Sequence, residues 1–325
     1  MQETYPSRPE ERNAWIQKRR AGVPRTPLNP RQAAGWLREA EPDVDGVLRS
    51  GLTVFLTNRE CPWKCLMCDL WRQALPGRVR PGDVPFQLQE VFREAGVAET
   101  PPEWIKLYNA GSFFDSGALP RTDRVVMARR VEGIPRVIVE NHPALTDRRI
   151  LPFRDALDGA RLEVAIGLET AHPAVLERLN KRVDLDGFRR AAGFLAAHGI
   201  DLRVFLLVRP PYLDESAALE WTCRSIDVAF ECGAGVVTLI PTRLGNGALE
   251  ELAAQGEFLP PCLATVQAAL SYGLSRRRGR VFADLWELGK SVSDPENLDE
   301  YCPRLQAMNL GQSPCHDPAS SHEII

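Results

Sequence analysis

Residues Leu52-Thr-Val-Phe-Leu-Thr57 make a short apolar, β-branched run, and Arg59-Glu-Cys61-Pro-Trp-Lys-Cys65-Leu-Met-Cys68-Asp69 follows it almost at once. A run of that length and composition reads as a buried strand. The three cysteines, spaced C-x3-C-x2-C, then stand on the loop that leaves the strand and leads toward a helix. Three thiols within eight residues can all be turned inward by one compact loop, so the segment reads as a metal centre.

The plain alternative is structural zinc, but such sites are closed by four ligands, usually Cys or His in nearby pairs. The next cysteine is Cys223 and the next histidine is His142, so no fourth ligand lies close in sequence. Three unrelated buried thiols are the other alternative. A [4Fe–4S] cluster normally takes four thiolates, and one held by three keeps an iron open for an exogenous ligand.

Outward from this loop the chain alternates strand-like and helix-like segments. Candidate strands are 52–57, 104–109, 136–140, 162–168, 202–208 and 235–240. Candidate helices fall at 86–95, 121–132, 173–179, 185–198 and 216–232, the last with the spacing of one buried face. Alternating strands and helices imply βαβ units and a parallel sheet. The expected fold class is α/β, a partial (β/α)6 barrel, with an open doubly wound sheet as the alternative that periodicity cannot separate. In either, chemistry sits beyond the C-terminal strand ends. The expected domains are an N-terminal extension over 1–46, a core over 47–275 and a C-terminal extension over 276–325.

The 325 residues are 44% apolar and 26% charged with a net charge of −3, an ordinary globular balance without a basic coat. No run approaches the roughly 18 apolar residues of a membrane span, and the polar N-terminus lacks a signal-peptide core. The expected compartment is therefore the cytoplasm, with no membrane partner, where the eight cysteines stay reduced. Basic clusters at Lys18–Arg20 and Arg276–Arg280 would supply local surface for RNA, or else are solvated helix faces.

C-x3-C-x2-C after the first strand of a partial barrel resembles the radical S-adenosylmethionine (SAM) superfamily. The resemblance covers about residues 48–270. It implies a cluster on Cys61, Cys65 and Cys68, with SAM chelated to the open iron and reductively cleaved to a 5′-deoxyadenosyl radical. An electron donor such as flavodoxin or ferredoxin would reduce the cluster. In the stretch Asn109-Ala-Gly111-Ser112, Gly111 and Ser112 would meet the SAM amino group. Glu140, at the third strand end, would bind a ribose hydroxyl or an ammonium group. Gly167-Leu-Glu169-Thr170 with Leu179-Asn180-Lys181 resembles a stretch of the tRNA-modifying members. By it Glu169 would touch the ribose and Lys181 the SAM carboxylate, with Arg182 competing for that role. Met67 would pack near the adenine, and Arg209 and Arg243 would face the barrel mouth, Arg209 as a further cofactor contact.

Pro210-Pro211 and Gly256-Glu-Phe-Leu-Pro260-Pro261 are similar to the archaeosine-type branch, whose shape lies close to the elongator-type enzymes. The resemblance implies modification of a nucleoside or tRNA, with tRNA and a partner modification enzyme as partners. The same chemistry on a small metabolite or peptide is an alternative, and so is a zinc-stabilised RNA-binding protein without catalysis. Cys302 and Cys315, beside Tyr301 and His316, are reduced thiols by default. With Cys262 they are also candidates for an auxiliary metal.

Overall fold

The computed structural model describes residues 4–314. Eight strands form one sheet in chain order: β1 (Gly35–Pro42), β2 (Leu48–Leu56), β3 (Trp104–Asn109), β4 (Arg136–Asn141), β5 (Arg161–Glu169), β6 (Asp201–Val208), β7 (Val236–Pro241) and β8 (Arg280–Ala283). β1 is antiparallel to β2, and every later neighbouring pair is parallel. The helices are α1 (Pro9–Arg20), α2 (Asp83–Glu94), α3 (Arg121–Arg130), α4 (Leu151–Asp155), α5 (Pro173–Arg178), α6 (Leu185–Ala197), α7 (Glu215–Glu231), α8 (Ala248–Ala254), α9 (Leu263–Ser275) and α10 (Leu298–Gly311).

The six expected strands are β2 to β7. β2 begins at Leu48 rather than Leu52, and the other five match the expected ranges to within one residue. β1 and β8 extend the sheet at its two edges. A flat eight-stranded sheet would hold those edges roughly 34 Å apart, at about 4.8 Å per strand. Instead Arg280 of β8 donates from Nη1 to the Pro42 carbonyl of β1 at 3.0 Å. The sheet therefore curls into a partial barrel, and the open doubly wound alternative is excluded.

Alternation along each strand sorts the side chains. Outward positions, such as Leu52, Val54, Ile105, Leu107, Val137, Val164, Val204 and Val237, are fully buried beneath the helices in one continuous core. α7 supplies part of that cover through Ala218, Ser225, Ile226 and Ala229, and Asp214 caps it by accepting the Ala217 N–H at 2.8 Å. α1 joins a second core instead, where Trp15 and Ile16 pack with Leu66, Leu249 and Leu252.

Inward positions near the barrel floor carry charge. Arg203 donates from Nε to Glu163 at 2.6 Å and from Nη2 to Glu41 at 2.9 Å. Lys106 reaches Glu41 at 2.5 Å and Glu39 at 2.9 Å. Burial alone would raise the Glu41 carboxyl, but Arg203 and Lys106 hold it well below the ordinary carboxylate range. The basic clusters are likewise turned partly inward. Arg280 and Arg20 are both buried, so those two charges are not open surface, while Arg276 stays exposed and is paired with Asp227 at 2.9 Å.

Removing Arg203 takes its hydrogen-bonding cation from buried Glu163 and leaves Glu41 to Lys106 alone. Arg203→Leu should lower unfolding stability by about 3–5 kcal/mol, read as the urea midpoint. An unchanged midpoint would show that the floor network contributes nothing.

Candidate active site

The loop that follows β2 has no regular structure, so its backbone groups must be satisfied from outside. Its start is held by Gln87 of α2, which accepts the Thr57 N–H at 2.9 Å and donates to the Thr57 carbonyl at 2.8 Å. Asn180 Nδ2 donates to the Lys64 carbonyl at 2.8 Å, and Arg20 Nη2 donates to the Cys65 carbonyl at 2.8 Å. Asn246 Nδ2 donates to the Leu66 carbonyl at 2.8 Å, and the Cys68 carbonyl accepts from Arg20 at 3.2 Å. These carbonyls are thus tied to α1 and to the loops after β5 and β7.

Cys61, Cys65 and Cys68 are free thiols that keep partial exposure. Burial pushes each up to about 12, and in each case another member of the triad adds to the rise. Lys181 beside Cys65 and Arg20 beside Cys65 and Cys68 pull the other way. Among the described residues no three His, Cys, Asp or Glu side chains converge as they would around a single ion. His142 is already engaged. Its ring stacks on Trp63 at 3.7 Å, Nε2 contacts the Lys181 carbonyl at 3.0 Å, and Nδ1 accepts the Ala144 N–H at 3.1 Å. Cys262 and Cys302 stand apart on α9 and α10, and Cys315 and His316 lie outside the described residues.

Gly111 backs directly onto Cys61: a Cβ there would lie 3.4 Å from the Cys61 Cβ. Next to it the Asn109 amide is 6% exposed and finds no partner for either Oδ1 or Nδ2. A buried amide left so is costly, and it marks a place for a polar ligand. Ser112 turns instead to the backbone, its Oγ accepting the His142 N–H at 3.0 Å.

At the end of β5 the register shifts between Gly167 and Glu169, and Glu169 takes a left-handed φ of 67°. The shift turns its carboxylate onto Lys181, and the two form a buried ion pair. Lys181 Nζ also donates to the Gly167 carbonyl at 2.7 Å. A side chain at 167 would collide with both partners, which explains the glycine. Arg182, the expected competitor, points away and donates to the Pro9 carbonyl at 2.6 Å.

Glu140, partly buried near the C-terminal end of β4, has no hydrogen-bonding side-chain partner among the described residues, and burial raises its carboxyl to about 8. Met67 packs with Val175, Leu179, Leu207 and Ile240. Arg209 is paired with Glu215 and donates to the Pro260 carbonyl at 2.9 Å. Arg243 bridges Asp69 at 2.9 Å, next to the triad.

No family model matches this chain. The β subunit of archaeosine synthase from Methanosarcina acetivorans is 28% identical over 260 residues, 77% of this chain and 73% of that protein. Methylornithine synthase, a radical SAM enzyme, superposes with a TM-score of 0.53 at 15% identity over 81% of this chain and 69% of its own. The chain is built on the radical SAM fold. A radical SAM methyltransferase from Kitasatospora setae superposes at a TM-score of 0.44 with 16% identity, over 62% of this chain, which spans only 38% of that protein.

The radical SAM fold gives the geometry a test of fit. A cluster held by three thiolates needs free thiols close to one another, and Cys61, Cys65 and Cys68 are free and each feels the charge of another of the three. An amino-acid-bearing ligand needs nearby polar groups without protein partners, and Asn109 supplies one. The support that Arg20, Asn180 and Asn246 give the cysteine loop escaped the sequence reading, because each reaches it from a distant segment, although Asn180 stands within the Leu179–Lys181 stretch.

The Glu140 carboxyl sits above its unfolded value near about 4.3, so the folded state holds the extra proton. Stability is then full below that value and falls as pH rises through about 8. The apoprotein should lose stability between about pH 5 and about pH 9, and Glu140→Gln should remove about 1 kcal/mol or more of that loss. Equal pH slopes of melting temperature in the two proteins would refute this.

Proposed function

We propose that this chain is a radical SAM enzyme whose Cys61, Cys65 and Cys68 hold a [4Fe–4S] cluster, and that it modifies a nucleoside in tRNA. The observation that carries the first part is the cysteine loop itself: three free, partly exposed thiols on one short loop whose carbonyls are held by Asn180, Arg20 and Asn246. Bound cluster and SAM would supply one-electron cleavage of a sulfonium and a hydrogen-abstracting radical. The chain's own residues orient and shield. Asn109 and Gly111 border the Cys61 side of the hollow, the Lys181–Glu169 pair borders the Cys65 side, and Met67 offers an apolar wall. The Trp63–His142 stack packs against the loop and helps to exclude water.

The similarity to an archaeosine synthase subunit supports the nucleoside substrate, and that protein's being a subunit supports a partner enzyme for this one. A one-electron donor of the flavodoxin or ferredoxin kind completes the scheme.

Anaerobically reconstituted protein should be brown, hold about four irons per chain and release 5′-deoxyadenosine from SAM under strong reductant. Cys65→Ala should abolish iron loading. Stoichiometric zinc in the wild type, or wild-type iron in Cys65→Ala, would sink the assignment. For the substrate, tRNA from a deletion strain should lack one modified nucleoside by mass spectrometry. An unchanged nucleoside profile would move the activity to a small metabolite or peptide.

A further inference from the structure

Arg20, the last residue of α1, was set aside above as one member of a basic cluster. In the fold it is buried at 6% exposure against the cysteine loop. Its Nη2 donates to the Cys65 carbonyl at 2.8 Å and the Cys68 carbonyl at 3.2 Å, spanning the turn that carries two of the three thiols. The nearest carboxylate, Glu60, is 3.9 Å from Nη1 and is already engaged by Arg25 at 2.6 Å and by Lys64. The guanidinium also lies 5.3 Å from the Trp71 ring. Arg20 Nε is buried with no partner at all. The two carbonyls account for Nη2, but the Nε N–H is a buried donor that the apoprotein leaves unused.

Reducing an iron–sulfur cluster adds negative charge, which a nearby buried cation stabilises, and hydrogen bonding around the sulfurs acts in the same direction. We propose that Arg20 is a positioning residue for the cluster. It holds the Cys65–Cys68 turn with the thiols inward, and its weakly compensated charge raises the cluster's reduction potential. The inference rests on the cluster reading above. It makes α1 a working part of the site, because Arg12 at the other end of that helix is anchored on Glu177 at 2.7 Å.

The test is an anaerobic iron assay and a spectroscopic redox titration without SAM, on wild type, Arg20→Gln, Arg20→Lys, Arg12→Gln and Cys65→Ala. Arg20→Gln should load iron yet be about tenfold harder to reduce, equivalent to about 59 mV for one electron, and Arg20→Lys should recover most of the difference. Equal potentials in wild type and Arg20→Gln overturn the inference. If Arg20→Gln does not load iron, rescue by lysine sustains the positioning role. Loss shared by Arg20→Lys and Arg12→Gln makes Arg20 a mere helix anchor and overturns it. Loss in both Arg20 variants with Arg12→Gln loaded and the apoprotein melting unchanged sustains it. Iron retained by Cys65→Ala would instead overturn the cluster reading itself.

Discussion

An irregular loop inside a barrel has carbonyls that no ladder or helix satisfies, and the loop after β2 depends on getting them satisfied from elsewhere. Asn180, Arg20 and Asn246 do so from three separate parts of the chain, each donating a side-chain N–H to a carbonyl between Lys64 and Cys68. The conformation of the cysteine-bearing turn is set by those three donors. The supports are themselves tied down: Asn180 also bonds Asn13, and Asn246 accepts the Ala248 and Leu249 N–H groups at the start of α8. Gly247 lies so close to the Arg19 carbonyl of α1 that a side chain there would overlap it.

The floor of the barrel works by the opposite means. There the problem is to close a sheet whose first and last strands do not pair. Closure comes from side chains: Glu39 and Glu41 of β1 reach across to Lys106 and Arg203, and Arg280 of β8 reaches back to Pro42 and Asp43. Such a network is weak evidence for net stability, since desolvation offsets much of the attraction. Its contribution is geometric, because charges that must be paired fix how far the sheet curls. Above the floor the interior changes character to Tyr108, Phe205 and Ile138, an apolar collar beneath the site.

Much of this was legible beforehand, and unevenly. β3 through β7 follow from β-branched runs bounded by turn residues, where local propensity and burial agree. β1 was not legible, because its inward residues are Glu39 and Glu41 and a strand with charges on its core face looks like surface. β8 has only four residues, too few to show a period. Among site residues, Gly167, Glu169 and Lys181 were readable as a spaced set, and the fold shows why the set hangs together: the β5 register shift leaves room only for glycine beneath the ion pair. Arg209 was readable as a strand-end cation, but not its pairing with Glu215, which comes from the first turn of α7.

The sequence by itself determined the cysteine spacing, the strand–helix order and the parallel run of strands. Those are local properties: residue type, spacing and hydrophobic period. Only the tertiary structure decided that the sheet curls rather than lies open, that Arg182 points away while Lys181 points in, and that Arg20 serves the cysteine loop. Those depend on contacts between residues dozens to hundreds of positions apart, such as Arg280 with Pro42 and Asn246 with Leu66. No local pattern encodes such contacts, because a buried arginine and a solvated one are written with the same letter.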